Sequence, residues 1–224
     1  MHKTKKTTWI LIGIMIAAAL VLPFLVGSDN NYMLNILISY CYYGILAASL
    51  NLLIGYTGQI SLGHAAFMAI GGYSYAILNK TLGFHFIFAM LGAIMISFLC
   101  GLFIGLACSK LSAIFLAMAT SGFAKAVTIT ITNEKWLTGG ANGFKLTNLE
   151  IYYFALVLAL LVFLVCYRLI YSKTGRAMQA VRNAPIAAAA MGINVNGYKF
   201  LVCGISAAMA GLAGCIYAIN LNYL

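Results

Sequence analysis

Apolar segments about as long as a bilayer-crossing helix recur along the chain and constrain its fold more than any other feature. A helix of about 20 apolar residues crosses a bilayer, because its backbone polar groups are paired internally. Hydrophobic residues make up 64% of the sequence and charged residues 7%, against roughly 25% charged residues in soluble domains. We therefore predict an all-α, polytopic membrane protein with about seven crossings: Trp9–Val26 as an uncleaved first span, Leu34–Ile54, Ala65–Leu78, Phe84–Ala107, Leu111–Ile131, Ile151–Ile170 and Phe200–Ile219.

The excess of basic residues carries information about orientation. Lys and Arg outnumber Asp and Glu by 13 to 3, which gives a net charge of +10. In a soluble protein this would suggest nucleic acid, but here the basic residues lie mainly between apolar segments, where they act as topology signals and contact lipid head groups. Cytoplasmic loops are rich in Lys and Arg, and their distribution predicts a cytoplasmic N-terminus. We predict a lipid bilayer as a partner and no nucleic acid.

A polar stretch rich in glycine interrupts the apolar pattern between the second and third segments. Unpaired backbone groups are not tolerated in hydrocarbon, so such a stretch must face protein or a water-lined cavity. Similar interruptions mark the cargo sites of transporters. We expect the glycines to break the helix and the polar side chains to line a translocation path, with a buried structural kink as the alternative. The candidate path residues are Gly55, Gly58, Gln59, Ser61, Gly63 and His64.

Two connecting segments are long enough to have a function. The first, Thr132–Glu150, is predicted to be an external loop, and its candidate residues are Thr138, Gly139, Gly140, Asn142 and Gly143. The second, Tyr171–Lys199, is predicted to be cytoplasmic. It favours one short helix over Arg176–Arg182 and another that Pro185 opens and Gly192 closes. Such a segment suits either a protein partner or the membrane surface.

No pattern indicates catalysis or a bound metal. The six cysteines lack metal-binding spacing, and His64 has no Cys, Asp or Glu near it in sequence. A glycine-rich ATP-binding loop is absent. We predict a transport subunit that is not an enzyme and has no cofactor. Small residues spaced along the last segment, such as Gly204 and Gly211, favour close packing between helices of the same subunit.

Three stretches resemble a known family: Asn51–Phe67, Thr138–Phe144 and Gly175–Ala218. They are similar to the inner-membrane permease subunits of bacterial branched-chain amino acid ABC importers, and most similar to the M-type subunit. The resemblance implies a single transmembrane permease domain over residues 1–224, in which residues 171–199 form a cytoplasmic coupling loop. It also implies a multi-pass location in the bacterial inner membrane.

The resemblance also implies partners. They are ABC ATPase subunits that hydrolyse ATP, a homologous companion permease subunit and an extracytoplasmic solute-binding protein. The residues expected to couple to the ATPase are Gly175, Arg176, Arg182, Pro185, Ala188 and Gly192.

Several alternatives remain at this stage. Relatives usually continue beyond the position of Leu224, which predicts a C-terminally truncated product or a fragment that has lost function. A permease for urea, amides, nucleosides or sugars would share the same architecture. An ion-coupled carrier or channel is less favoured, because no predicted span contains Asp or Glu.

Overall fold

The computed structural model describes residues 31–108, 113–133 and 152–221. Within these ranges the chain is helical and contains no strand. In chain order the helices are α1 (Asn31–Leu50), α2 (His64–Ala76), α3 (Phe86–Cys108), α4 (Ala113–Asn133), α5 (Tyr152–Tyr171), α6 (Lys173–Asn183), α7 (Pro185–Ala190) and α8 (Val195–Leu221). Two π-helical turns, Asn51–Tyr56 and Ile77–Thr81, extend α1 and α2.

Five helices in the described ranges are long and apolar enough to cross a membrane. They cover Tyr32–Tyr56, Phe86–Ala107, Ile114–Asn133, Tyr152–Tyr171 and Val195–Asn220. The predicted first span, Trp9–Val26, lies outside the described residues. The predicted third segment, Ala65–Leu78, forms the short helix α2 and is not among the five. The all-α membrane class is confirmed, whereas the number of seven crossings stays a prediction.

Helix α8 lies at the centre of the bundle. It packs most extensively against α3 and α2 and also along α1, while α5 packs against α1. Helices in a membrane attract one another mainly through close van der Waals contact, so small residues belong at their crossings. A Cβ atom added to Gly214 would overlap the Met68 backbone, and one added to Gly101 would overlap Ala207. The small residues therefore pack helices within one subunit, as the sequence predicts.

Helix α4 differs from the others because most of its surface is uncovered. It touches α2 along one side and α3 only slightly. The residues on its remaining surface include large exposed hydrophobic side chains such as Phe115 and Met118. In a monomeric soluble protein such a surface would be unusual, but it suits a helix that meets lipid or another membrane subunit.

The boundary of the last helix corrects one prediction. Helix α8 begins at Val195, so residues 195–199 belong to it and not to the connecting segment predicted over Tyr171–Lys199. The first turn of α8 is polar, and Asn194 Oδ1 accepts a hydrogen bond from the Gly197 backbone N–H (3.0 Å). An apolar segment indicates only the part of a helix that lies in hydrocarbon. Polar residues before that segment can belong to the same helix, because they continue it beyond the hydrocarbon region.

Candidate functional site

The polar stretch between α1 and α2 is a true helix break. Residues 58–63 are not helical, and Gly58 has a φ of 70°, a conformation that favours glycine. The Gly58 backbone N–H donates to the Ile54 carbonyl oxygen (3.1 Å), and that of Gln59 donates to Leu53 (3.2 Å). These bonds pair the last carbonyl groups of the preceding turn. The break predicted from sequence is confirmed, and we call residues 58–63 the polar break.

Helix α4 holds the far end of the polar break. The Thr120 hydroxyl accepts a hydrogen bond from the Leu62 backbone N–H (3.1 Å) and lies within bonding distance of the Leu116 carbonyl oxygen (2.9 Å). A Cβ atom added to Gly63 would overlap the Thr120 carbonyl oxygen. Glycine is therefore needed at residue 63 for close approach to a neighbouring backbone, and not for a positive φ.

The polar side chains of this region are enclosed by the protein. Gln59 and His64 are buried, and Gln59 Nε2 donates to the Lys199 carbonyl oxygen of α8 (3.1 Å). His64 Nε2 lies 2.6 Å from the hydroxyl of the buried Ser49 on α1. Ser61 is also buried, and neither its hydroxyl nor His64 Nδ1 has a hydrogen-bond partner among the described residues. The region thus contains unused hydrogen-bonding capacity.

Helix α6 contacts the polar break directly. Arg182 Nη1 donates a hydrogen bond to the Gly55 carbonyl oxygen, in the π-helical turn that ends α1. A Cβ atom added to Gly58 would lie 3.2 Å from Arg182 Cγ. A cation at the C-terminal end of a helix is stabilised by the helix dipole and by the carbonyl groups that lack helical partners. The structure thus brings together two predicted regions that are far apart in sequence.

The polar break lies near one end of the bundle. At 1.5 Å per residue, Lys199 is roughly 6 Å from the start of α8, and Thr120 is roughly 10 Å from the start of α4. Helix α8 begins at the end that carries α6 and α7, since α7 leads into its start. The first two turns of α4 reach the same polar break that α6 contacts. The break is therefore about one or two turns inside the bundle, where a movement of α6 would reach it.

The two short helices predicted between α5 and α8 are confirmed as α6 and α7. Ser172 caps α6 by accepting a hydrogen bond from the Gly175 backbone N–H (3.4 Å), and Gly175 packs closely on the end of α5. Pro185 occupies the first turn of α7. Gly192, with a φ of 82°, closes α7 while Ile193 N–H donates to the Ala188 carbonyl oxygen (3.0 Å).

Helix α7 presents apolar side chains to its surroundings. Ile186 is 87% exposed and Met191 is 84% exposed, whereas Ala188 is buried against the rest of the chain. Arg176 on α6 is exposed as well. Of the predicted coupling residues, Gly175 and Ala188 therefore pack inside the subunit, and the others are exposed. The large exposed apolar side chains, Ile186 and Met191, were not selected from the sequence.

Some functional predictions cannot be placed, and some contacts were missed. The predicted external residues Thr138, Gly139, Gly140, Asn142 and Gly143 lie outside the described ranges. Within those ranges no group of three or more metal-ligating side chains is present. Ser49, Thr120 and the Lys199 carbonyl group were not selected from sequence, because no local pattern connects them to the polar break.

Comparisons with known proteins agree with this architecture. Residues 32–223 match the family described as the permease component of branched-chain amino acid transport systems. The chain is 29% identical over 245 residues to the high-affinity branched-chain amino acid transport system permease protein LivM of Salmonella typhimurium, covering 94% of this chain and 57% of that protein. The corresponding protein of Escherichia coli strain K12 is 28% identical over 256 residues, covering 99% of this chain and 59% of its own length.

The chain thus spans less than two thirds of the length of the curated relatives it matches. No solved structure matches it significantly. The family resemblance stated from the sequence motifs is confirmed, and the alternative of a permease for urea, nucleosides or sugars is not favoured by these matches.

Proposed function

Because this chain belongs to the permease-component family of branched-chain amino acid transport systems, we propose that it is a membrane subunit of an ATP-driven importer of these amino acids. It forms part of the translocation path and transmits movement from a cytoplasmic ATPase. The chain itself hydrolyses no ATP. The proposed substrate class is that of the two relatives, which are permease proteins of branched-chain amino acid transport.

One observation supports the coupling role above all others: the contact of Arg182 with the polar break. Helix α6 reaches the Gly55 carbonyl oxygen and lies against Gly58. A glycine with positive φ next to a π-helical turn is a place where backbone torsions change with little steric cost. A displacement of α6 is therefore passed to the polar break, and from there through Leu62 and Thr120 to α4.

The surface that receives the ATPase is the exposed side of α7. Ile186 and Met191 supply an apolar contact, and Arg176 lies on the preceding helix. A helix that inserts apolar side chains into a groove of a partner is a common recognition mode. Ala188 anchors α7 to its own subunit, so the helix moves together with α6 and does not bend separately. This arrangement also requires the α6–α7 end of the bundle, and the N-terminus of the chain, to be cytoplasmic.

The polar break is proposed to be the moving element of the path. Its polar side chains are buried in the described conformation, so contact with an amino acid requires the break to open. Ser61 Oγ and His64 Nδ1 then gain partners that they lack in the closed arrangement. An amino acid is a zwitterion, so its passage needs polar groups as well as an apolar lining. The companion permease completes the path, and a solute-binding protein delivers the substrate to the predicted external loop.

The test uses the complete transporter with its partner subunits. We expect an ATPase to co-purify with this chain, and we expect Arg182→Gln to lower the uptake of radiolabelled leucine severalfold at normal membrane abundance. Lys173→Gln is the matched control, since this substitution also removes one positive charge from an exposed position of the same helix. Uptake by Arg182→Gln equal to that of the control, or a purified transporter without ATPase, would contradict the coupling role.

A further inference from the structure

Helix α4 has a polar side that points away from the rest of the chain. Ser121, Lys125, Thr128 and Thr132 follow one another at spacings of four, three and four residues, which places them on one side of a helix. Lys125, Thr128 and Thr132 are exposed and Ser121 is partly so. A neighbouring side of α4, which includes Thr120 and lies about 110° around the helix axis from these residues, packs against α2 and the polar break. We call the four residues the outer polar stripe.

Lys125 lies far from both ends of this membrane-crossing helix. At 1.5 Å per residue it is roughly 18 Å from Ala113 and roughly 12 Å from Asn133. Lysine side chains often extend along a helix to reach the membrane surface. On α4, however, each Cα–Cβ bond tilts towards the helix N-terminus, so the Lys125 side chain leans away from the nearer end. Reaching the membrane surface is therefore difficult for this ammonium group.

Lys125 also lacks an acidic partner in the described part of the chain, because residues 31–108, 113–133 and 152–221 contain no Asp or Glu. The hydroxyl groups of the stripe, unlike the Lys125 ammonium group, have hydrogen-bond partners within their own helix. Thr128 Oγ1 donates to the Ala124 carbonyl oxygen (2.9 Å) and Ser121 Oγ donates to Met118 (2.8 Å). Such hydroxyls are compatible with lipid, since their donors are satisfied within the helix. The ammonium group of Lys125 is not compatible with lipid, because it needs water or an anion.

We propose that the outer polar stripe lines the water-filled solute path and that Lys125 binds the carboxylate group of the transported amino acid. The inference rests on the proposed function, and it assigns the substrate contact to a residue outside the polar break. A carboxylate supplies the negative charge that the described residues of the chain do not place near Lys125. Hydrogen bonds between an ammonium and a carboxylate group are short and strong, and stronger still where water is scarce.

This assignment gives α4 two connected roles. Its inner side is attached to the polar break through Thr120, and its outer side carries the substrate contact, so one rigid helix links the two. Thr120 and Lys125 are separated by roughly 8 Å along the helix axis. A movement of the break that shifts α4 would therefore change the position of Lys125 in the path during the transport cycle.

The first experiment measures access from water. In the complete transporter, Lys125→Cys and Thr128→Cys are treated with a membrane-impermeant thiol reagent, with Phe103→Cys on α3 as the lipid-facing control and the unsubstituted chain as background. We expect both stripe positions to react, leucine to slow the reaction at residue 128, where Lys125 is still present, and residue 103 to stay unreacted. A stripe that reacts only in the isolated subunit would be a protein interface, and one that never reacts would face lipid; either result overturns the inference.

The second experiment tests the carboxylate contact. We expect Lys125→Gln to raise the KM for leucine about tenfold, as for the loss of a charged hydrogen bond, and Lys125→Arg to restore most of the affinity. Leucine amide, which lacks the carboxylate, should inhibit the unsubstituted and Lys125→Gln transporters equally. A change in maximal rate with an unchanged KM would refute carboxylate binding. If the unsubstituted transporter showed no ATP-driven uptake, the proposed function would fail, while the thiol measurement would still report on the stripe.

Discussion

The polar break and the outer polar stripe are both polar regions in a predominantly apolar bundle, but the fold treats them differently. Four helices enclose the break and its flanking residues. Thr120 of α4 and Lys199 of α8 bond to the break itself. Ser49 of α1 lies within bonding distance of His64 on one flank, and Arg182 of α6 donates to Gly55 on the other. The stripe has no such enclosure, and its Lys125 is exposed. Polar groups enclosed by the described helices serve the structure and its movement, whereas the exposed Lys125 ammonium group needs water or an anion that the described residues do not supply.

Substitution of Gly63 should show the largest effect, because the break depends on backbone contact with α4. A methyl group in Gly63→Ala overlaps the Thr120 carbonyl oxygen, which cannot move without shifting α4. We expect a loss of roughly 1–3 kcal/mol of stability, measured as the fraction of purified transporter that survives heating in size-exclusion chromatography. Gly122→Ala is the control, since nothing lies within 4 Å of its added Cβ atom. Equal survival of the two variants would show that the break is not tightly packed.

The two sides of α4 can be compared by removing one hydroxyl from each. Thr120→Val leaves the partly buried Leu62 N–H without its partner, so we expect a loss of about 1 kcal/mol. Thr128→Val removes a hydroxyl that bonds only within its own helix, and its stability should change by less than about 0.5 kcal/mol. Thermal survival of both variants is the measurement. A larger loss for Thr128→Val would mean that the outer side carries structural contacts of its own.

The smallest effect on stability is expected for Ser61→Ala, since the buried Ser61 hydroxyl has no partner among the described residues. If the break opens during transport, this hydroxyl is available to water or substrate in the open state, and leucine uptake should fall severalfold. Ser97→Ala on α3 is the matched control, because Ser97 is likewise buried with an unpaired hydroxyl but lies away from the break. Leucine uptake by Ser61→Ala equal to that by Ser97→Ala would leave the break with a mechanical role alone.

Local patterns were sufficient for the elements of the fold. The apolar segments located the long helices, Pro185 and Gly192 delimited α7, and the glycines around Gln59 located the break. Each of these follows from residues within a few positions of one another, which is the range over which propensity and capping act. The family was likewise evident from short motifs. The start of α8 was misplaced because its first turn is polar and the apolar pattern does not include it.

The sequence by itself thus determined that this chain is a bundle of membrane helices with one polar interruption and one basic connecting segment. Only the tertiary structure decided that the two meet, with Arg182 bound to the Gly55 carbonyl oxygen, and that Lys125 is exposed on α4 while Thr120 of the same helix holds the break. The physical reason is the separation in sequence over which each kind of interaction acts. Helix formation depends on neighbours in sequence, whereas these contacts join residues far apart in the chain, whose distance is set by how α1, α2, α4, α6 and α8 pack together.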